Sequence, residues 1–216
     1  MSQTFLIFGH RGSPKRFPEN TLASFDEALR AGADGFETDL RLLSDGTAIL
    51  FHDDEVDDSE IESMRAADLG ARGTVPQKVS DLAAYAGRAT MVLEVKRSKW
   101  EDVLLAHVSA WPNVIIASFD HSIIAELHRR RVPIALGITT FGSIVDVGRY
   151  AAALGATWCF PNYRYVDRDM VASLHERGVK VVPWTPNRPR EWDALRKAGC
   201  DGVITDVPHE AVAWRG

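Results

Sequence analysis

The sequence predicts an α/β protein built on a parallel sheet, and three observations carry that prediction. Short apolar runs alternate with stretches of helical periodicity along nearly the whole chain. The connections between them are short, as in repeated strand–helix units. A weak internal echo repeats the unit: residues 28–39 and 194–206 each read as a helix, a Gly stop and a strand ending in Thr-Asp. Nine strand-like runs can be counted where a closed eight-stranded barrel needs eight. A hairpin over residues 35–52 accounts for the excess arm. A doubly wound open sheet is the alternative, disfavoured because no Gly-rich phosphate loop opens a helix.

Taken in order, residues 5–8 read as a buried strand that stops at Gly9 and presents His10, Arg11 and Gly12 at its tip. Gly12 lets the backbone turn sharply and lets a ligand come close. Asn20 is the expected N-cap of a helix running to Arg30, with Leu22, Phe25 and Leu29 on its core face. Asp45-Gly46 between two strand-like runs signals a hairpin. With these as a two-residue turn, Ser44 pairs with Thr47 and Asp39 falls opposite His52. Glu37 and Asp39 share a face by the period of two, so Glu37, Asp39 and His52 are expected to converge. Residues 53–62 are the most acidic run in the chain, read chiefly as a solvated loop, with Ser59 and Glu62 as a capping box for a short helix to Leu69. Ser80 caps another short helix to Tyr85. Residues 91–96 form an interior strand that places Glu94 and Lys96 together near its C-terminal end, where barrels carry their chemistry. Helices at 100–110, 123–131, 144–154, 167–177 and 190–198 then alternate with strands at 114–119, 134–139, 157–160, 180–184 and 202–206.

Composition narrows the class. The 216 residues are 45% hydrophobic and 25% charged, with a net charge of −5. That balance suits an ordinary globular chain, its length leaving one or two domains open, and argues against a nucleic-acid surface. Cys159 and Cys200 lie in apolar contexts and read as buried thiols, which suits a cytoplasmic, reducing setting. No apolar run approaches the length of a membrane span, and the N-terminus carries no export-signal pattern. His107, His121, His128, His175 and His209 lack a partner pattern and read as structural or surface residues.

His10, Arg11, Glu37, Asp39, His52, Glu94 and Lys96 thus come from separate strand ends of one sheet. Three carboxylates make a hard-oxygen site suited to Mg²⁺, Mn²⁺ or Ca²⁺. Two histidines are the usual complement for a general base and a general acid. Arg11 and Lys96, with a divalent cation, would offset the charge of a phosphoryl group.

His10-Arg11-Gly12, Pro18-Glu19-Asn20-Thr21, Glu37-Thr38-Asp39, Asp45-Gly46, His52-Asp53, Glu94-Val95-Lys96, Ser118-Phe119 and Trp184-Thr185 together resemble the glycerophosphodiester phosphodiesterases. The matches run in family order from residue 5 to about residue 208. The resemblance implies one domain over residues 1–216, a single, somewhat irregular TIM-like (β/α)8 barrel with a short acidic insertion, at about 54–80, after the third strand. It implies metal-dependent cleavage of small glycerophosphodiesters to glycerol 3-phosphate and an alcohol. By the same resemblance Glu37, Asp39 and Glu94 hold one divalent cation (Mg²⁺ or Ca²⁺, or Mn²⁺), His10 and His52 are the acid/base pair, Arg11 and Lys96 hold the phosphate, and Trp184 lines the pocket. Two readings stand beside it: a related phosphodiesterase or lyase that releases a cyclic phosphate from a lipid-derived substrate, and an inactive phosphate-binding barrel. The sequence departs from the family in residues 54–77, which are short and acidic and lack the family's Arg-Thr-Thr-like segment. The sign of that loop points to a cationic headgroup such as choline or ethanolamine.

Overall fold

The computed structural model describes residues 4–216. In chain order its elements are β1 (Leu6–Gly9), α1 (Leu22–Arg30), β2 (Gly35–Leu42), β3 (Ala48–Leu50), β4 (Glu55–Val56), β5 (Ser59–Glu60), α2 (Ala66–Ala71), β6 (Thr90–Val95), α3 (Glu101–Val108), β7 (Val114–Ser118), α4 (His121–Arg129), β8 (Ala135–Thr140), α5 (Val147–Ala153), β9 (Trp158–Pro161), α6 (Arg168–His175), β10 (Lys180–Val181), α7 (Pro189–Ala198), β11 (Gly202–Thr205) and α8 (Pro208–Arg215). Eight strands run parallel in the order β10-β9-β8-β7-β6-β2-β1-β11, and β3 hangs antiparallel from β2 as the excess arm. Trp184 bridges toward both Asn162 and Ile204 and brings the last two barrel strands together, with Ile204 N–H donating to the Pro183 carbonyl at 2.9 Å. The result is a nearly closed TIM-like α/β barrel, and the doubly wound alternative falls away.

Alternation of side chains divides the core in two. Phe36, Leu40, Met91, Leu93 and Ile116 pack outward against the helices. Phe8, Val92, Ile115, Ala117, Phe160, Val182 and Ile204 fill the barrel interior. Inward positions nearer the strand C-termini turn from apolar to charged: Val92 is followed by Glu94, and Glu37 by Asp39 and Arg41, all buried. The apolar floor therefore supports a polar mouth.

Three local expectations are corrected. The hairpin turn has three residues, not two: Leu43 N–H donates to the Thr47 carbonyl at 2.9 Å and Gly46 sits at φ +83°. Such a turn wants glycine at its left-handed position, and it shifts the register by one, so that Leu40 faces Leu50 and Asp39 lies beside Phe51 instead of His52. The helix α1 is capped by Thr21, whose hydroxyl accepts from Ser24 N–H, while Asn20 turns away at φ +55°. Ser59 does not cap a helix, because Asp57 and Asp58 both adopt positive φ and fold residues 55–60 into a tight hairpin. The helix that follows is shorter and starts at Ala66, where Asp68 reaches back to the Arg65 N–H.

Candidate active site

A cleft of about 200 Å³ opens at the C-terminal end of the barrel. It brings together every residue singled out from the sequence: His10, Arg11, Glu37, Asp39, His52, Glu94, Lys96 and Trp184 all line it. One wall is ionisable, and the other is apolar, made by Val92, Ala117, Phe119, Phe160, Trp184 and Ile204.

The ionisable wall comes from neighbouring strands in register, with Asp39 beside Glu94. One oxygen from each of Glu37, Asp39 and Glu94 lies within 4.8 Å of the others. Lys96 Nζ stands 2.7 Å from Asp39 Oδ1 and also binds Glu94 Oε1. Arg11 donates its backbone N–H to Glu37 Oε2 at 3.1 Å, sets Nε 3.1 Å from Asp39 Oδ2 and reaches Glu19 with Nη1 at 2.8 Å. Gly12, at φ +89°, lets the turn after Arg11 pack on the next helix: a Cβ there would sit 2.4 Å from Ser24 Oγ. That close approach is to the start of α1 and not to the cleft.

Burial and charge set the protonation of the carboxylates. Burial, then the neighbouring Asp39 charge, pushes Glu37 up to about 8. Burial also raises Glu94, against the pull of Lys96. Burial works against Asp39 ionising, but Lys96 and Arg11 outweigh it and hold Asp39 down to about 2. Two acids under pressure to stay neutral beside a third that is charged form a hard-oxygen donor set suited to a divalent cation, which relieves that pressure. The residues present fit such an ion.

The two histidines are held differently. His10 extends from β1 with its N–H on the Thr205 carbonyl at 2.8 Å, and its Nδ1 lies 2.7 Å from Asp206 Oδ1. Asn187 in turn holds Asp206, donating Nδ2 to Asp206 Oδ2 at 2.7 Å and accepting from the Asp206 N–H at 2.9 Å. This leaves His10 Nε2 facing the cleft, 4.0 Å from Glu37 Oε2. Burial opposes protonation of His10, but the Asp206 hydrogen bond and the Glu37 charge prevail and raise its pKa. His52 lies just beyond the end of β3, with Nδ1 2.8 Å from Asp53 Oδ1. It reaches the cleft despite the shifted register, because pairing stops at Phe51 and the loop carries the ring inward.

The model of the glycerophosphoryl diester phosphodiesterase family matches residues 10–83 and 74–210. This chain belongs to that family. It is 28% identical to the glycerophosphodiester phosphodiesterase of Caldanaerobacter subterraneus subsp. tengcongensis, over 96% of each chain. The glycerophosphodiester phosphodiesterase of Bacillus altitudinis is also 28% identical, over 97% of each. The fold is shared with the Thermotoga maritima glycerophosphodiester phosphodiesterase at a TM-score of 0.85 and 23% identity, covering 97% of each chain. An Oleispira antarctica phosphodiesterase, solved in complex with its product sn-glycerol-3-phosphate, superposes at 0.82 with 23% identity, over 97% of this chain and 96% of that one. The chain is therefore an enzyme of the phosphodiesterase class on a TIM-like barrel.

Within this family member, three contributors to the site escaped the sequence reading. Asp206 was visible there only as the end of an internal echo, the counterpart of Asp39. Asn187 lies two residues past Thr185 and carries no motif of its own. Asn20, expected to cap a helix, instead donates Nδ2 to Asp39 Oδ2 at 2.9 Å and accepts from Thr38 Oγ1 at 2.7 Å. Its spacing from a capping position hid a buried amide that orients a carboxylate. The acidic run holds a cation of the chain's own: Arg41 pairs with Asp54 at 2.7 Å and with Glu62.

Proposed function

We propose that this enzyme hydrolyses glycerophosphodiesters to sn-glycerol 3-phosphate and an alcohol, using one divalent cation (Mg²⁺ or Ca²⁺, with Mn²⁺ also fitting the oxygen donors) held by Glu37, Asp39 and Glu94. The observation that carries this reading is the convergence, in a chain of this family, of three buried carboxylates, two histidines and two cations on one cleft. When bound, a hard divalent cation neutralises phosphoryl charge in the transition state.

The chain's own residues supply the rest. Arg11 and Lys96 are fixed by ion pairs to Asp39, which aims two positive groups at the position a phosphate would take. Asp206 fixes His10 with Nδ1 protonated, so that Nε2 exchanges a proton with the substrate. His52, on the hairpin arm, is the second proton-transfer group. One histidine deprotonates the nucleophile and the other protonates the leaving alkoxide. Trp184 donates Nε1–H to the Phe160 carbonyl at 2.9 Å, which locks its ring against the apolar wall beside the organic part of the substrate. Phe119 packs edge-on to it, with ring centres 5.5 Å apart. The two buried, unpaired thiols support a cytoplasmic setting.

The deciding experiment measures glycerol 3-phosphate released from glycerophosphocholine, glycerophosphoethanolamine, glycerophosphoinositol and glycerophosphoglycerol. It is run with Mg²⁺, with Ca²⁺ and with EDTA, beside H10A. Metal-dependent release that vanishes in H10A is expected. Cyclic phosphate accumulating in place of glycerol 3-phosphate, or no turnover at all, would overturn the hydrolase reading.

A further inference from the structure

Glu37, Asp39 and Arg41 alternate onto one face of β2, and the first two belong to the carboxylate site. Arg41 is the next rung. It is a guanidinium only 2% exposed, in a position where an unpartnered charge would be very costly. Its partners are unusual for a structural arginine. Nη2 donates to the His52 carbonyl oxygen at 2.7 Å and Nε to the same oxygen at 3.3 Å. Nη2 also binds Asp54 Oδ1 at 2.7 Å, and Nη1 binds Glu62.

His52 has few other restraints. It follows the end of β3 and lies outside regular structure. Its ring nitrogen meets Asp53, whose side chain is 71% exposed. A solvent-exposed carboxylate on the next residue is a weak anchor. His10, by contrast, is tied through its ring to a network of the half-buried Asp206 and Asn187. The backbone of His52 is held by a fork of two N–H groups, and that fork is oriented chiefly by Glu62, whose side chain is 25% exposed, while Asp54 is as exposed as Asp53.

We propose that Arg41 is a positioning residue that sets the reach of His52 into the cleft through the His52 carbonyl. Glu62, the less exposed of its two acidic partners, serves to aim the guanidinium. This inference rests on the acid/base reading of His52. Lysine at this position keeps the charge but is a point donor without the planar fork. It cannot hold one carbonyl and two carboxylates in the same geometry. A misplacement of about 1 Å in a proton-transfer group is enough to cost ~10²-fold in rate.

The test compares R41K, E62Q, H52A and the R41K/H52A double variant by steady-state hydrolysis of a glycerophosphodiester. Urea unfolding and calorimetric titration with Mg²⁺ confirm that the compared proteins are folded and retain the carboxylate site. R41K is expected to lower kcat by about 10–100-fold with KM within about twofold and Mg²⁺ affinity unchanged. E62Q lowers kcat in the same sense by less. In the H52A background R41K adds no further loss, because the two changes act through one group. A purely structural clamp would lower stability and leave kcat per folded molecule at the parent value, which overturns the proposal. So does a full, multiplicative loss from R41K on top of H52A. If H52A itself keeps the parent rate, the acid/base reading of His52 fails first and the role of Arg41 falls with it.

Discussion

Displacement of a proton is the most direct test of the carboxylate site. The perturbation is the addition of Mg²⁺ or Ca²⁺ to chelator-treated protein. Burial and the Asp39 charge push Glu37 up to about 8, so at pH 7 roughly nine-tenths of metal-free molecules carry a proton on that side chain. A cation takes only the deprotonated ligand. Binding at pH 7 therefore releases about one proton, and affinity falls about tenfold for each pH unit below 8. Calorimetry in two buffers of different ionisation enthalpy counts the proton, and repeating it from pH 6 to 8 gives the slope. The stability of the chelated protein must follow the same linkage. Glu37 titrates higher in the fold than its ordinary 4.5, so the folded state keeps a proton that the unfolded chain gives up. Its contribution is fully present below about 4.5 and is lost as pH rises toward about 8. Saturating cation removes that loss. An affinity flat between pH 6 and 7.5 with no buffer-dependent heat would refute the reasoning, as would E37Q binding the cation as tightly as the parent.

Asp206→Asn keeps shape but removes the charge that favours protonated His10; kcat is expected to fall by about 10²–10³-fold, with the His10 titration, followed by NMR, moving to lower pH. An unmoved titration would count against the role given to Asp206. Phe25 and Phe36 stack with ring centres 4.1 Å apart, and Tyr85 packs edge-on to both. Phe36→Ala should therefore cost about 3–5 kcal/mol, read as a lower urea midpoint with an unchanged slope. Burial pushes the Cys159 and Cys200 thiols up to about 12. Ellman's reagent at pH 8 should react with neither in the native protein and with both in urea; prompt native reaction of Cys159, which lies on β9, would show that the barrel strands open.

Much of this molecule was legible in its sequence, for identifiable reasons. Barrel strands announce themselves by apolar runs that end in ionisable residues. Glu94 and Lys96 stand out by that break in pattern, and Glu37 and Asp39 as two carboxylates on what alternation makes a core face. Convergence of Glu37, Asp39 and His52 followed from period-two alternation and survived an error in the turn, because His52 lies beyond the paired part of the arm. What stayed hidden was of two kinds. Turn geometry depends on which residue accepts the left-handed backbone, and Asn20, Asp57 and Asp58 did so where their side chains suggested caps or solvent. Partnerships across long separations, such as His10 with Asp206 and Arg41 with Glu62, leave no periodic trace, since each residue looks like ordinary surface polarity until the barrel closes.

That closure has a consequence for how the chain becomes an enzyme. β1 finds its two neighbours at opposite ends of the sequence, β2 shortly after it and β11 near the C-terminus. His10 and its carboxylate partner are 196 residues apart. β2 and β6, which carry the three carboxylates, precede Asp206 by more than a hundred residues in the chain, whereas the His10 ring meets its partner only where the last strand lies beside the first. A chain that ends before Asp206 thus lacks the carboxylate that holds the His10 ring. Closing the barrel and orienting the His10 ring are therefore one structural event, since the strand that pairs with β1 runs directly into the residue that holds the ring.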